Sequence, residues 1–90
     1  MKILSFTQEN NISIKNYIAV FFTHSGAIKF NRFAKKNNIS CELMPVPRKL
    51  SSNCGIGAKF CCDDIEKIID SEIEKIFEVK INEYILVYEE

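Results

Sequence analysis

Residues Met44 to Ala58, MPVPRKLSSNCGIGA, carry the densest set of chemically useful side chains in this sequence. Pro45 and Pro47 fix φ and remove two backbone donors, so the chain leaves the preceding apolar run stiffly. Ser51, Ser52 and Asn53 favour tight turns through side-chain hydrogen bonds to the backbone. Successive N–H groups in such turns can form an anion-binding nest. Arg48 and Lys49 add positive charge, and Gly55, lacking a Cβ, leaves the Cys54 sulfur open to a close partner. Each feature favours thiolate over thiol, and the thiolate is the nucleophile. A lone cysteine is more often a small packing residue. The basic, turn-rich surroundings reverse that reading for Cys54, and not for Cys41, Cys61 or Cys62.

The stretch PVPRKLSSNCGIG resembles the loop of the selenium/sulfur carrier protein-like family, whose members read P-x-P-R, then small polar residues, then C-G. Upstream, IAVFFTHSGAIKF is similar to that family's first strand and helix start, and downstream IEKIFEV is similar to its last strand. The resemblance spans residues 17–79. It implies that Cys54 accepts sulfur or selenium, with Arg48 and Gly55 matching the motif without an assigned role. Lys49 and Asn53 depart from the acidic and serine residues commoner there. It further implies a sulfur or selenium donor such as a cysteine desulfurase, an acceptor protein, and no bound cofactor. Carriage would be as a persulfide or selenopersulfide. Two readings from other classes stand beside it: a non-catalytic interaction or regulatory module in which Cys54 is incidental, and a redox-sensing thiol.

The elements that must hold this loop follow from local pattern. Tyr17–Phe22 is a nearly continuous run of β-formers and predicts a central strand. Thr23 or Ser25 can cap the helix that follows, with Ala27, Phe30, Phe33 and Ala34 on one stripe and Asn37-Asn38 at its end. Ile39–Met44 predicts the second strand. In Ile56–Cys62, the third, residues 56, 58, 60 and 62 alternate onto the core face. Asp63 and Glu66 mark the start of a second helix, ending near Ser71 or Glu72 with Ile65, Ile68 and Ile69 as its stripe. After Ser71 two readings stand: Ile69, Ile73 and Ile76 continue the helical period, whereas IFEVKI is strand-like and the family resemblance implies a strand there, so Ile73–Val79 is expected as a strand, Asn82-Glu83 as a turn and Tyr84–Tyr88 as a final strand.

This order predicts an α+β, ferredoxin-like βαββαβ sandwich with two helices on one face. An N-terminal extension (residues 1–16, with an edge strand at Ile3–Phe6) and a C-terminal hairpin strand are added to a single domain, 17–90. The Cys54 loop and the first helix N-terminus, with His24 and Ser25, then share one end of the sheet, where helix N–H groups favour negative charge. His24 is either an exposed first-turn residue or a base for Cys54. No third group orients it, which favours a carrier over a hydrolytic Cys–His enzyme. Setting Phe60 opposite Leu43 pairs Cys41 with Cys62 and Glu42 with Cys61.

Composition bounds the rest. Ninety residues make one small domain; 47% are hydrophobic and 27% charged, the balance of a globular protein. Twelve acidic and twelve basic side chains leave no net charge, which argues against a nucleic-acid partner and gives no support to a membrane surface. MKILSF is too short for a signal-peptide core, and no apolar run reaches transmembrane length. The expectation is a cytoplasmic protein with reduced thiols. The spacing of Cys41, Cys54, Cys61 and Cys62, with one histidine, matches no zinc pattern. A homodimer is left open.

Overall fold

The computed structural model describes residues 15–50 and 55–90. The expected edge strand at Ile3–Phe6 lies outside them. The elements are β1 (Lys15–Phe21), α1 (His24–Lys36), β2 (Cys41–Pro45), a 3-10 turn (Arg48–Leu50), β3 (Ile56–Cys62), a second 3-10 turn (Ile65–Lys67), β4 (Ile73–Lys80) and β5 (Glu83–Glu89). The strands form one sheet in the order β2-β3-β1-β4-β5, with every neighbouring pair antiparallel.

β1 sits at the centre because it is apolar on both faces: Tyr17 to Phe21 are all buried. Tyr17, Ala19 and Phe21 face α1, and Ile18 and Val20 face the other way. On α1, Gly26, Ala27, Phe30 and Ala34 are buried. Phe30 lies against Phe21 and Phe60, with ring centroids 5.4 and 5.1 Å away. Phe33, placed in the stripe by the sequence, is 41% exposed. At 100° per residue it lies about 90° from the centre of the Ala27–Phe30–Ala34 stripe, and its ring centroid is 6.3 Å from that of Phe30. Thr23 is the N-cap, its hydroxyl accepting from the Gly26 N–H at 3.0 Å. Asn37 closes the helix, and Asn38 follows in the left-handed region at φ 60°.

The expected second helix is not formed, so the two-helix βαββαβ sandwich is corrected to an α+β fold with, among the described residues, one antiparallel sheet and one α-helix. The geometry of the crossing explains this. Cys62 is level with Lys15 and Ile73 with Phe21, so residues 63–72 must climb six residue steps, about 20 Å at about 3.3 Å each. They must also pass over β1, about 10 Å sideways. A ten-residue helix rises only about 15 Å. The chain instead makes one 3-10 turn, capped by the Asp64 carboxylate accepting from the Glu66 N–H, and is otherwise extended enough to reach β4. Ile68 still reaches the core, with Ile65 and Ile69 packed beside it.

The β2–β3 register also differs from the expected one, by two residues. Leu43 pairs with Ala58, Cys41 with Phe60 and Glu42 with Lys59. Cys61 and Cys62 are instead opposite Asn16 and Lys15 on β1. Faces survive a two-residue slip, but partners do not. The observed register sets Leu43 against the small Ala58 and gives Phe60, already stacked on Tyr17 of β1, the small Cys41 on its other side, whereas Leu43 opposite Phe60 would add a third large side chain beneath α1.

Candidate functional site

The loop grows directly out of the β2–β3 ladder. The last strand pair is Pro45–Ile56, and the Val46 N–H donates to the Gly55 carbonyl at 3.0 Å, extending the ladder by one step. Ser51, Ser52, Asn53 and the proposed acceptor Cys54 lie outside the described residues. Cys54 immediately precedes the end of this ladder in the chain. Gly55 has φ +75°, and a Cβ built on it would meet nothing within 4 Å. Its backbone conformation thus accounts for glycine there.

The first half of the loop does not stay at the end of the sheet. Arg48 opens a 3-10 turn in which the Leu50 N–H donates to the Pro47 carbonyl at 2.9 Å. Leu50 is buried to 5% exposure yet stands outside the cluster beneath α1, as do Ile18 and Val20. Gly57 is opposite Val20, on the face away from α1. A Cβ on Gly57 would come within 3.0 Å of Val46 Cγ2, so Val46 lies over the same face. The Lys49 ammonium sits 5.4 Å from the centroid of the Tyr84 ring on β5. Tyr84 is opposite Val79, two residues from Phe77, which is opposite Ile18. The path from Val46 to Lys49 therefore runs over the face opposite α1. The sequence gives no local sign of this path, because Lys49 and Tyr84 are far apart in the chain.

His24 and Ser25 occupy the first turn of α1, both exposed. That turn and the Pro45–Ile56 pair stand at the same end of the sheet, since Phe21 and Ile56 both lie there. The helix start is on the α1 side, however, whereas Val46 to Leu50 fold over the other. The positive end of the helix also has a neighbour that sequence reasoning missed. Glu72 Oε1 lies 2.8 Å from where a Gly26 Cβ would stand, and the Glu72 carbonyl accepts from the Phe22 N–H at 3.2 Å. A carboxylate beside the first helical turn offsets part of the attraction that turn offers to another anion.

The remaining thiols sit toward the other end of the sheet, Cys61 and Cys62 on β3 and Cys41 on β2 opposite Phe60. Ile56 and Cys62 are the two ends of β3, about 20 Å apart at about 3.3 Å per residue. Cys61 and Cys62 point to opposite faces, as alternation requires. The Cys61 thiol donates to Asn16 Oδ1 at 2.9 Å. Burial pushes the Cys62 thiol pKa up; the Asp64 backbone hydrogen bond opposes this, and Asp63, Asp64 and Cys61 add to it. Burial also raises the Cys41 thiol, against the pull of Lys35. For Cys41 and Cys62 this favours the protonated, less nucleophilic form. A cavity of about 370 Å³ at this end is lined by Ile39, Cys62, Asp63, Lys67 and Ile68 among others, away from the strand end that bears the loop. Among the described residues, no three His, Cys, Asp or Glu side chains group as a metal site, and no helix is long and apolar enough to cross a membrane.

A family model described as "Putative Se/S carrier protein-like" matches residues 16–84. No curated protein and no solved structure matches the chain.

Proposed function

This chain belongs to the Se/S carrier protein-like family, and on that premise we propose that it carries sulfur or selenium on Cys54, as a persulfide or selenopersulfide, between partner enzymes. The observation that carries the reading is the loop PVPRKLSSNCGIG, which resembles the family's P-x-P-R…C-G loop and lies within the matched span. Cys54 directly precedes the left-handed Gly55, whose carbonyl closes the β2–β3 ladder. The three other cysteines give support by contrast. Cys41 and Cys62 are raised in pKa by burial, and Cys61 is tied to Asn16.

Loading from a cysteine desulfurase is redox-neutral. The Cys54 thiolate attacks the terminal sulfur of the donor's cysteine persulfide. A new S–S bond forms on Cys54, the donor's S–S bond breaks, and the donor thiolate leaves with the electron pair. Delivery repeats the exchange with an acceptor thiolate. Arg48 and Lys49 add positive charge to the loop that would hold the anionic persulfide.

Incubating the protein with a cysteine desulfurase and cysteine, then measuring intact mass without reductant, tests this. Wild type should gain the mass of one sulfur atom, mapped by peptide analysis to Cys54. Cys54→Ser should gain none, and Cys61→Ser should load like wild type. Equal loading of wild type and Cys54→Ser would sink the proposal.

A further inference from the structure

A loop joining two adjacent antiparallel strands needs only to turn round. Here the ends are already joined by the Val46–Gly55 hydrogen bond, yet residues 46–50 reach across the sheet. Three points hold them there. Val46 packs over Gly57, Leu50 is buried away from the α1 cluster, and Lys49 lies over the ring of Tyr84 on β5. β5 is the strand farthest from β2 in the sheet order, so the Lys49 contact ties the loop to the opposite edge. Lys49 itself is exposed, with no ion pair among the described residues. Its ammonium can stay hydrated while the aliphatic stem covers apolar surface and the charge faces the ring.

We propose that Tyr84 is a positioning residue for the loop that carries Cys54, anchoring Lys49 and thereby setting the path of residues 46–50 over the sheet. The Val46 and Leu50 amides report on this, because the first donates to the Gly55 carbonyl where the loop leaves the ladder and the second to the Pro47 carbonyl within the 3-10 turn, and both exchange when the segment opens. The claim concerns where the loop is held and stands apart from the carrier reading: failure of sulfur loading would leave it intact, and its own failure would leave sulfur loading untouched.

The test is amide hydrogen exchange on the full-length protein. Lys49→Met and Tyr84→Leu should each speed exchange at Val46 and Leu50 by about two- to fivefold, the range expected for an exposed cation–π contact. Tyr84→Phe keeps a ring face and should stay at the wild-type rate. The double variant Lys49→Met/Tyr84→Leu should exchange no faster than either single variant, since both remove one contact. Loss of β5 packing alone would be rescued by phenylalanine as well, but it would not give non-additivity with Lys49→Met. Unchanged exchange in Lys49→Met, additive single effects, or a Tyr84→Phe that behaves like Tyr84→Leu would each overturn the assignment. Lys49 is exposed, so its variant tests the proposal even if Tyr84→Leu fails to fold.

Discussion

Replacing Gly57 by alanine should strike both the sheet and the loop. The added methyl would stand 2.8 Å from the Ala19 carbonyl oxygen and 3.0 Å from Val46 Cγ2. Ala19 is fully buried in the central strand and bonded on both sides through β3 and β4, so its carbonyl has no room to retreat. Val46 is easier to displace, but it begins the loop and forms the last ladder hydrogen bond with Gly55. Overpacking of this kind costs about 1–3 kcal/mol. A cost of about 2 kcal/mol lowers Tm by about 8–16 °C in a domain of this size. Thermal unfolding followed by circular dichroism measures it, and Gly55 supplies the control. A Cβ there meets nothing within 4 Å, but φ is +75°, so Gly55→Ala should lose about 1–2 kcal/mol from conformation alone. Asparagine tolerates the left-handed region and should recover much of that loss at Gly55, whereas Gly57→Asn should be at least as damaging as Gly57→Ala. The reasoning fails if Gly57→Ala melts within about 2 °C of wild type, or if asparagine is the milder substitution at Gly57.

Two further outcomes follow from the helix cap and the buried thiols. Thr23→Ala removes the acceptor for the Gly26 N–H and should cost about 1 kcal/mol in urea unfolding, with Thr23→Ser near wild type; equal losses in both would show that the hydroxyl is not the cause. Burial holds the Cys41 and Cys62 pKa values above those of the unfolded chain. Their contribution to stability is therefore complete below the unfolded pKa of about 8.5 and is lost as pH rises through the folded values. Under reducing conditions, wild type should lose more stability than Cys41→Ala/Cys62→Ala between about pH 7.5 and 10, and a steeper loss in the variant would contradict the sign.

Much of the fold was legible locally. The apolar run at Tyr17, the cap at Thr23, the Asn37-Asn38 stop and the alternation through Ile56–Cys62 are properties of neighbouring residues, and they recur in β1, α1 and β3 with small shifts of boundary. So do the opposite faces of Cys61 and Cys62, because alternation follows from the backbone of one strand. The loop's ends were legible too: prolines at Pro45 and Pro47 and glycine at Gly55 punctuate the chain wherever it lies.

What only the tertiary structure decided depends on distances between elements. Residues 63–72 have the pattern of a helix, yet the gap from the end of β3 to the start of β4 is longer than a helix of that length can span, so reach overrides propensity. The β2–β3 register was chosen by packing beneath α1, where Leu43 meets Ala58 rather than Phe60; side-chain volumes across two strands are invisible to a reading of either one. The path of Val46 to Lys49 over the far face depends on Gly57 and Tyr84. Glycine in β3 makes space for the loop and a ring on β5 receives its lysine, and neither residue carries a local mark of that role. One strand's pattern specifies which way its side chains point, but which surfaces then meet is decided by the assembled sheet.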